Sequence, residues 1–196
     1  MQKIESFNKM SDSEIEIHPF PPFIFPDTET LIMGTFPPQP KRWSMEFYYP
    51  NRTNDFWYMM GLIFYGDRFA LMQQDGKHFD LSKIKDLLIS KQIGLSDTGY
   101  KIRRLKDNAS DKFLEIIEPV PLKTLIESHP AIKRLCSTGE KAAKVLAELT
   151  HTEPPKMGHK VSTPDGLEIW RMPSTSRAYP MRLEDKATYY RKMFDC

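Results

Sequence analysis

The stretch from Leu31 to Phe64 holds the residues whose types and spacing could form a binding site for a planar ring. It reads LIMGTFPPQPKRWSMEFYYPNRTNDFWYMMGLIF: an apolar run that breaks at Gly34, a loop rich in proline and aromatic residues, and an apolar segment that begins near Thr53. Half of the 16 prolines fall within residues 19–50. Rigid loops suit a preformed site, and they equally suit simple stiffening of a loop. We predict that Gly34 to Asn54 form the walls of a pocket for a flat heterocycle.

Secondary structure around this stretch would hold the pocket together. Residues 30–35 predict the first core strand, and residues 54–65 predict a helix with one buried face, formed by Phe56, Met59, Met60, Ile63 and Phe64. Asn54, with Thr53 and Asp55, is of a type that caps a helix N-terminus. Ligands of open α/β sheets bind beyond the carboxyl ends of the strands, which is where this loop would lie.

The rest of the chain alternates between predicted strands and helices. We predict helices over 80–92, 121–128, 140–150 and 183–194, strands over 93–98 and 132–137, and a hairpin over 160–172 with Pro-Asp-Gly at its turn. Residues 99–110 predict a basic connection, and Ser137 with Glu140 fits a helix capping box. This order favours an α/β fold: a three-layer α/β/α sandwich with a mostly parallel central sheet of about four strands. Loops after Gly34, Thr98 and Pro173 would meet at one edge of that sheet.

Length and composition indicate one globular domain. The chain has 196 residues, 40% hydrophobic and 28% charged, with a net charge of +2, so its total charge does not demand a nucleic-acid partner. We predict that residues 1–29, with four prolines, form an extended N-terminal arm on a domain of residues 30–196. Two cysteines without a CxxC motif, five histidines without ligand spacing and no long apolar run favour a cytoplasmic protein without metal or membrane span. We expect a monomer.

Three segments in order resemble the uracil-DNA glycosylase superfamily, most closely its mismatch-specific and hypoxanthine-DNA glycosylase branches. These segments are LIMGTFPP at 31–38, FYYPNRTNDFW at 47–57 and RMPSTSRAYP at 171–180. They match a Gly-x-x-Pro turn, a Tyr-Tyr…Asn-x-Phe-Trp segment and a Pro-Ser-Thr-Ser loop, and GEKAAKVL at 139–146 fits the helix after the third strand. The resemblance covers most of residues 30–194.

The chain departs from the family pattern at several positions. Most relatives place Asp or Asn two residues after the first motif's glycine to position the attacking water, and this chain has Phe36 there. The hypoxanthine branch also lacks that polar residue and relies on the asparagine that matches Asn54. Met172 stands where the classical uracil enzymes have histidine, and two cysteines cannot hold the cluster of the iron–sulphur branches.

The resemblance implies roles for four residues of the predicted pocket. Asn54 would be the catalytic residue and would also bind the base, because a side-chain amide offers both a donor and an acceptor to the N–H/C=O edge of uracil or hypoxanthine. Tyr49 would stack on the flipped base, Gly34 would let the backbone approach it, and Phe36 would wall the pocket. Each has a plainer alternative: Asn54 as a helix cap, and Tyr49 and Phe36 as core packing. Asp97 could orient water or serve in a turn or cap.

The late loop supplies the predicted DNA contacts. Ser174, Thr175, Ser176 and Arg177 offer hydroxyls, backbone N–H groups and a cation for phosphates. Five basic residues lie near in sequence: Arg171, Arg182, Lys186, Arg191 and Lys192. A second cluster comprises Lys101, Arg103, Arg104 and Lys106, and such charges are otherwise a solvated face. We therefore expect a monofunctional DNA glycosylase that removes deaminated bases without cofactors and has damaged DNA as its partner. The alternatives are a lesion-binding module of the same fold that lacks catalysis, and an unrelated α/β hydrolase or nucleotide-binding protein.

Overall fold

The computed structural model describes residues 15–105 and 113–194, and within them the chain forms eight strands and five α-helices. The strands are β1 (Ile15–Ile17), β2 (Thr30–Gly34), β3 (Ile93–Asp97), β4 (Gly99–Arg104), β5 (Leu114–Pro119), β6 (Arg134–Thr138), β7 (His159–Ser162) and β8 (Glu168–Met172). The helices are α1 (Phe56–Tyr65), α2 (Leu81–Ser90), α3 (Leu122–Ser128), α4 (Glu140–Thr150) and α5 (Leu183–Phe194). No helix in these ranges is long and apolar enough to cross a bilayer.

The central sheet has five strands in the order β3-β2-β6-β8-β7. The first four are parallel, and β7 pairs antiparallel with β8 through the predicted Pro-Asp-Gly hairpin. The α/β class is therefore confirmed, whereas the expected number of about four strands is wrong because the hairpin's first arm joins the sheet at its edge. All residues of β2 and β3 are buried, as expected for parallel strands covered on both faces.

Alternate residues of the central strands enter two separate cores. Ile32 and Cys136 pack with residues of α1, α2 and α5, whereas Leu31, Met33 and Leu135 pack with residues of α3 and α4. Successive side chains of a strand point to opposite faces, so these two helix groups cover opposite faces of the sheet. The carboxyl ends of the four parallel strands are left at one edge, where the site lies.

A second sheet corrects the prediction for residues 99–110. Residues 99–104 form β4 and not a connection: β4 pairs antiparallel with both β1 and β5 in a three-stranded sheet of order β1-β4-β5. Ile102 is completely buried, and the charged residues on either side of it conceal this alternation in the sequence. Residues 106–110 of the predicted connection lie outside the described residues, as do residues 1–14 of the predicted arm.

The predicted capping box at the start of α4 is also wrong. The N-cap is Gly139, whose φ of 128° lies in a region that favours glycine, and no side chain caps the helix. The Ser137 hydroxyl instead donates to the carbonyl of Trp170 in the neighbouring strand, at 3.0 Å. The Ser137 hydroxyl is therefore bonded to the neighbouring strand and does not cap α4.

Candidate active site

A cleft of about 740 Å³ opens at the carboxyl edge of the central sheet. All eight residues predicted for the site line it: Gly34, Phe36, Tyr49, Asn54, Ser174, Thr175, Ser176 and Arg177. Asp97 and Thr138, which end β3 and β6, line it as well. Parallel pairing of the strands brings together segments that are more than a hundred residues apart in sequence.

Asn54 lines the cleft and lies one residue before Asp55, which is the N-cap of α1. Its Oδ1 accepts the N–H of Phe56 at 2.9 Å, at the start of α1. Because the NH2 group of a side-chain amide cannot accept a hydrogen bond, this bond also identifies the oxygen of the Asn54 amide. In the described part of the chain Nδ2 has no hydrogen-bond partner, so the amide retains its two donors and the second lone pair of Oδ1.

Tyr49 occupies a strained backbone position beside Asn54. Its φ is 51°, which is uncommon for a bulky residue outside glycine-rich turns. One ring face is stacked on Phe56 with a centroid distance of 3.7 Å, and the hydroxyl is 3.1 Å from Oγ1 of Thr138. Burial, and then the nearby negative charge of Asp97, raise the pKa of Tyr49 well above its usual value. The phenol is thus neutral, and only its other face is available for stacking.

Gly34 allows three polar groups to approach the end of β2 closely. A Cβ at this position would lie 2.6 Å from Oδ1 of Asp97, 3.4 Å from the Tyr49 hydroxyl and 3.6 Å from Oγ1 of Thr138. The first distance is shorter than real Cβ contacts, so a side chain would displace the Asp97 carboxylate. Glycine at position 34 therefore makes room for Asp97 as part of the cleft wall.

Asp97 is held by a histidine that the sequence analysis did not select. The Nε2 of His18 lies 2.9 Å from Oδ2 of Asp97, and both side chains are more than nine-tenths buried. The Nδ1 of His18 is close to the backbone of Phe20, 2.8 Å from its carbonyl oxygen and 3.2 Å from its nitrogen. Asp97 makes no turn or cap bond with a backbone N–H in the described residues, and its Oδ1 has no protein partner there. The separation of 79 residues left no signal for this pair in the sequence.

Phe36 connects the cleft to the N-terminal segment and the small sheet. Its ring meets that of His18 edge-on at 5.1 Å, and the Arg104 guanidinium carbon is 5.8 Å from its centroid. Arg104 also donates to the carbonyl of Pro37 in the same loop, at 3.0 Å. Phe36 is therefore a packed wall residue of the cleft.

Hydrogen bonds fix the Ser-Thr-Ser loop opposite Asn54. The N–H of Asp55 donates to the carbonyl of Thr175 at 2.9 Å, which links the start of α1 directly to this loop. Arg177 is half exposed, with Nε 3.4 Å from Oδ1 of Asp55 and its guanidinium carbon 5.8 Å from the Tyr58 ring centroid. The loop thus borders the cleft, and Arg177, like Arg42, is a cation that lines it.

Several residues of the two basic clusters that were predicted to contact DNA are buried or paired with carboxylates. Lys186 is completely buried and bonded to Asp55, so it cannot contact DNA. In the second cluster, Lys101 pairs with Glu118 and Arg103 with Glu115, at 2.6 Å and 3.0 Å. Arg104 is buried and bidentate to Glu16, at 2.8 Å and 3.0 Å. Carboxylates therefore neutralise the described part of this cluster.

Comparison with known proteins shows the fold of the chain. No protein-family model matches it, and no curated protein sequence matches it. Its structure is similar to the solution NMR structure of a Methanosarcina acetivorans protein provisionally named a uracil DNA glycosylase. The likeness covers 93% of this chain and 100% of that chain, with a TM-score of 0.58 and 22% sequence identity. The chain therefore shares the α/β fold of that protein.

Proposed function

We propose that this chain is a monofunctional DNA glycosylase of the uracil-DNA glycosylase superfamily, which hydrolyses the N-glycosidic bond of uracil or hypoxanthine in base-excision repair. The observation that carries the proposal is the cleft itself. It combines the Asn54 amide, a face of the Tyr49 ring and the hydroxyl-rich loop of residues 174–176 at one sheet edge. Its motifs resemble most those of the mismatch-specific and hypoxanthine branches.

Asn54 would recognise and activate the extruded base. Breaking the N-glycosidic bond puts negative charge on the departing base, and donors aimed at that charge lower the barrier. The free Nδ2 donors of Asn54 suit a carbonyl oxygen of the base, and the second lone pair of Oδ1 suits its ring N–H. The unpaired Oδ1 of Asp97 offers a second acceptor, which favours a base edge that carries an N–H group. Tyr49 and Phe36 would enclose the ring away from water.

DNA would bind across the rim of the cleft. The hydroxyls and N–H groups of residues 174–176 suit phosphates that flank the extruded nucleotide. Arg177 would leave Asp55 and either contact a phosphate or fill the gap in the base stack. Water would attack C1′ of the sugar after the base departs.

The Nδ2 donors of Asn54 and the bond of its Oδ1 to the N–H of Phe56 can be separated by two substitutions. Asn54→Asp keeps an oxygen for the N–H of Phe56 and removes the Nδ2 donors, whereas Asn54→Ala removes both. We expect both variants to lose about 10²–10³-fold in excision rate, as when a single oxyanion donor is lost. Affinity for lesion DNA should survive in Asn54→Ala, measured by fluorescence anisotropy.

Asp67→Ala is the matched control, because Oδ1 of Asp67 also accepts a backbone N–H two residues later, from Phe69 at 2.9 Å, and Asp67 does not line the cleft. It should reduce stability slightly and leave excision within about threefold of wild type, since a lost hydrogen bond costs about 1 kcal/mol. Equal losses of excision and DNA affinity in Asn54→Ala would place Asn54 in the scaffold.

A lesion-binding module without catalysis is the second candidate. The bond between Oδ1 of Asn54 and α1, together with Phe36 at a position that is polar in most relatives, favours it. Purified protein incubated with uracil- and hypoxanthine-containing oligonucleotides separates the two functions. Binding without an abasic product would support the module.

A further inference from the structure

Lys186 is a buried charge that the proposed mechanism does not use. Its side chain has no solvent exposure, and its Nζ donates to Oδ2 of Asp55 at 2.9 Å and to the carbonyl of Ser176 at 2.8 Å. A buried ammonium is costly unless it is paired and hydrogen-bonded, and an apolar pair of similar volume is often as stable. Burial of an ion pair at this position is therefore not explained by stability alone.

Three hydrogen bonds turn three carbonyl groups of the loop toward α5 and α1. The hydroxyl of Tyr190 donates to the carbonyl of Pro173 at 3.0 Å, the N–H of Asp55 donates to that of Thr175, and Lys186 donates to that of Ser176. Lys186 and Tyr190 are four residues apart and so share one face of α5. This face holds the loop at both ends.

The inward carbonyls determine where the N–H groups point. In a trans peptide the C=O and the following N–H are antiparallel, and the described residues contain no cis peptide bond. The N–H groups of Ser174 and Arg177 therefore point away from α5, and neither has a hydrogen-bond partner in the described part of the chain. The N–H of Ser176 is bonded to Oγ of Ser174 at 3.2 Å. Outward N–H groups beside hydroxyls suit an anion.

We propose that Lys186, together with Asp55 and Tyr190, is a positioning residue that orients the loop of residues 173–177 so that its N–H groups bind a DNA phosphate. The proposal rests on the proposed function, because it identifies the anion as the phosphate next to the extruded base. Asp55 directly follows Asn54, so the same ion pair fixes the distance between the base-binding amide and the phosphate-binding loop.

The double substitution Asp55→Asn with Lys186→Met tests this role without leaving an uncompensated buried charge. We expect the N–H of residue 55 to exchange with solvent at least about tenfold faster, because its acceptor on the loop is no longer held. Excision of the deaminated base should lose about 100-fold in kcat, as expected from a misplaced binding loop, with a smaller change in KM.

Thr188→Ala is the control, since Thr188 lies on the same helix and its hydroxyl donates to the carbonyl of Glu184 away from the loop, at 3.0 Å. It should change neither the exchange at residue 55 nor kcat. Tyr190→Phe removes only the hydroxyl at the other end of the loop, and we expect a loss of about three- to tenfold in kcat, typical of one hydrogen bond.

The exchange measurement needs no DNA, so it separates this proposal from the proposed function. A wild-type protein without excision on any lesion would refute the function, and faster exchange in the double variant would still support the positioning role. Wild-type exchange together with wild-type excision in the double variant would overturn it.

Discussion

Substitution of Gly34 by alanine should damage the cleft through one contact. The new Cβ would lie 2.6 Å from Oδ1 of Asp97, whereas carbon and oxygen normally approach to about 3.3 Å. The carboxylate would have to move by roughly 0.7 Å, the difference between these distances. It is short, buried and bonded to His18 at 2.9 Å, so it cannot swing aside freely.

Two effects determine the loss of stability in Gly34→Ala: the overpacking by the new methyl group and the loosened hydrogen bond between Asp97 and His18. Overpacking costs about 1–3 kcal/mol, and loosening a charge-assisted hydrogen bond adds about 1.5–3 kcal/mol. We expect Gly34→Ala to lose about 3 kcal/mol in the free energy of unfolding, or roughly 6–12 °C in Tm for a chain of this size. Excision should fall as well, because the methyl group would enter the cleft wall.

A double-mutant cycle with Asp97→Ala identifies the contact. In the Asp97→Ala background the clash is absent, so Gly34→Ala should cost about 2 kcal/mol less than in wild type, as measured by urea unfolding. Gly61→Ala is the control, since its Cβ would meet the carbonyl of Asp67 at 2.7 Å away from the cleft. It should destabilise without coupling to Asp97. Additivity of Gly34→Ala and Asp97→Ala within about 0.5 kcal/mol would refute the reasoning.

Three further predictions follow from the buried and paired groups. Because the pKa of Tyr49 is raised above the ordinary value of 10.0, the folded state retains a proton that the unfolded state loses, so stability should fall as pH rises above 10. Tyr49→Phe should reduce this fall by up to about 1.4 kcal/mol per pH unit in urea unfolding, and an unchanged slope would contradict the assignment. Alanine at Lys101 and Arg103 should leave the Kd for DNA within about twofold because both cations are paired and neither lines the cleft, whereas Arg177→Ala in the cleft lining should weaken binding and reduce its salt dependence. Burial raises the pKa of the Cys136 thiol, so iodoacetamide should label it only after unfolding, as peptide mass mapping would show; rapid labelling of the folded protein would place it at the surface.

The parts of the fold that local patterns specify were predictable. The apolar run that ends at Gly34 and the Pro-Asp-Gly turn each depend on neighbouring residues, and each appears in the structure. Helix α1 also forms, but its predicted single buried face is wrong: every residue from 56 to 61 is buried, whereas Ile63 and Phe64 are only partly buried. Strand β4 was missed because its single buried aliphatic residue, Ile102, stands among charged residues. The buried Arg104 has its partner 88 residues away, so no local window contains the pair.

The same reasoning accounts for what was predicted at the site. Strand ends of a parallel sheet meet at one edge, so the motifs after β2 and β8 could be placed together from the sequence. The pairs that hold them could not be predicted: His18 with Asp97, and Lys186 with Asp55, join residues 79 and 131 positions apart. A chain with 28 basic and 26 acidic residues offers too many possible partners for charge alone to select these pairs.

The contacts of His18 have a consequence for the part of the chain that precedes β2. Both ring nitrogens of His18 are engaged, Nδ1 with the backbone of Phe20 and Nε2 with the Asp97 carboxylate. The segment before β2 therefore belongs to the scaffold of the site, because removing it would leave the Asp97 carboxylate without its histidine partner.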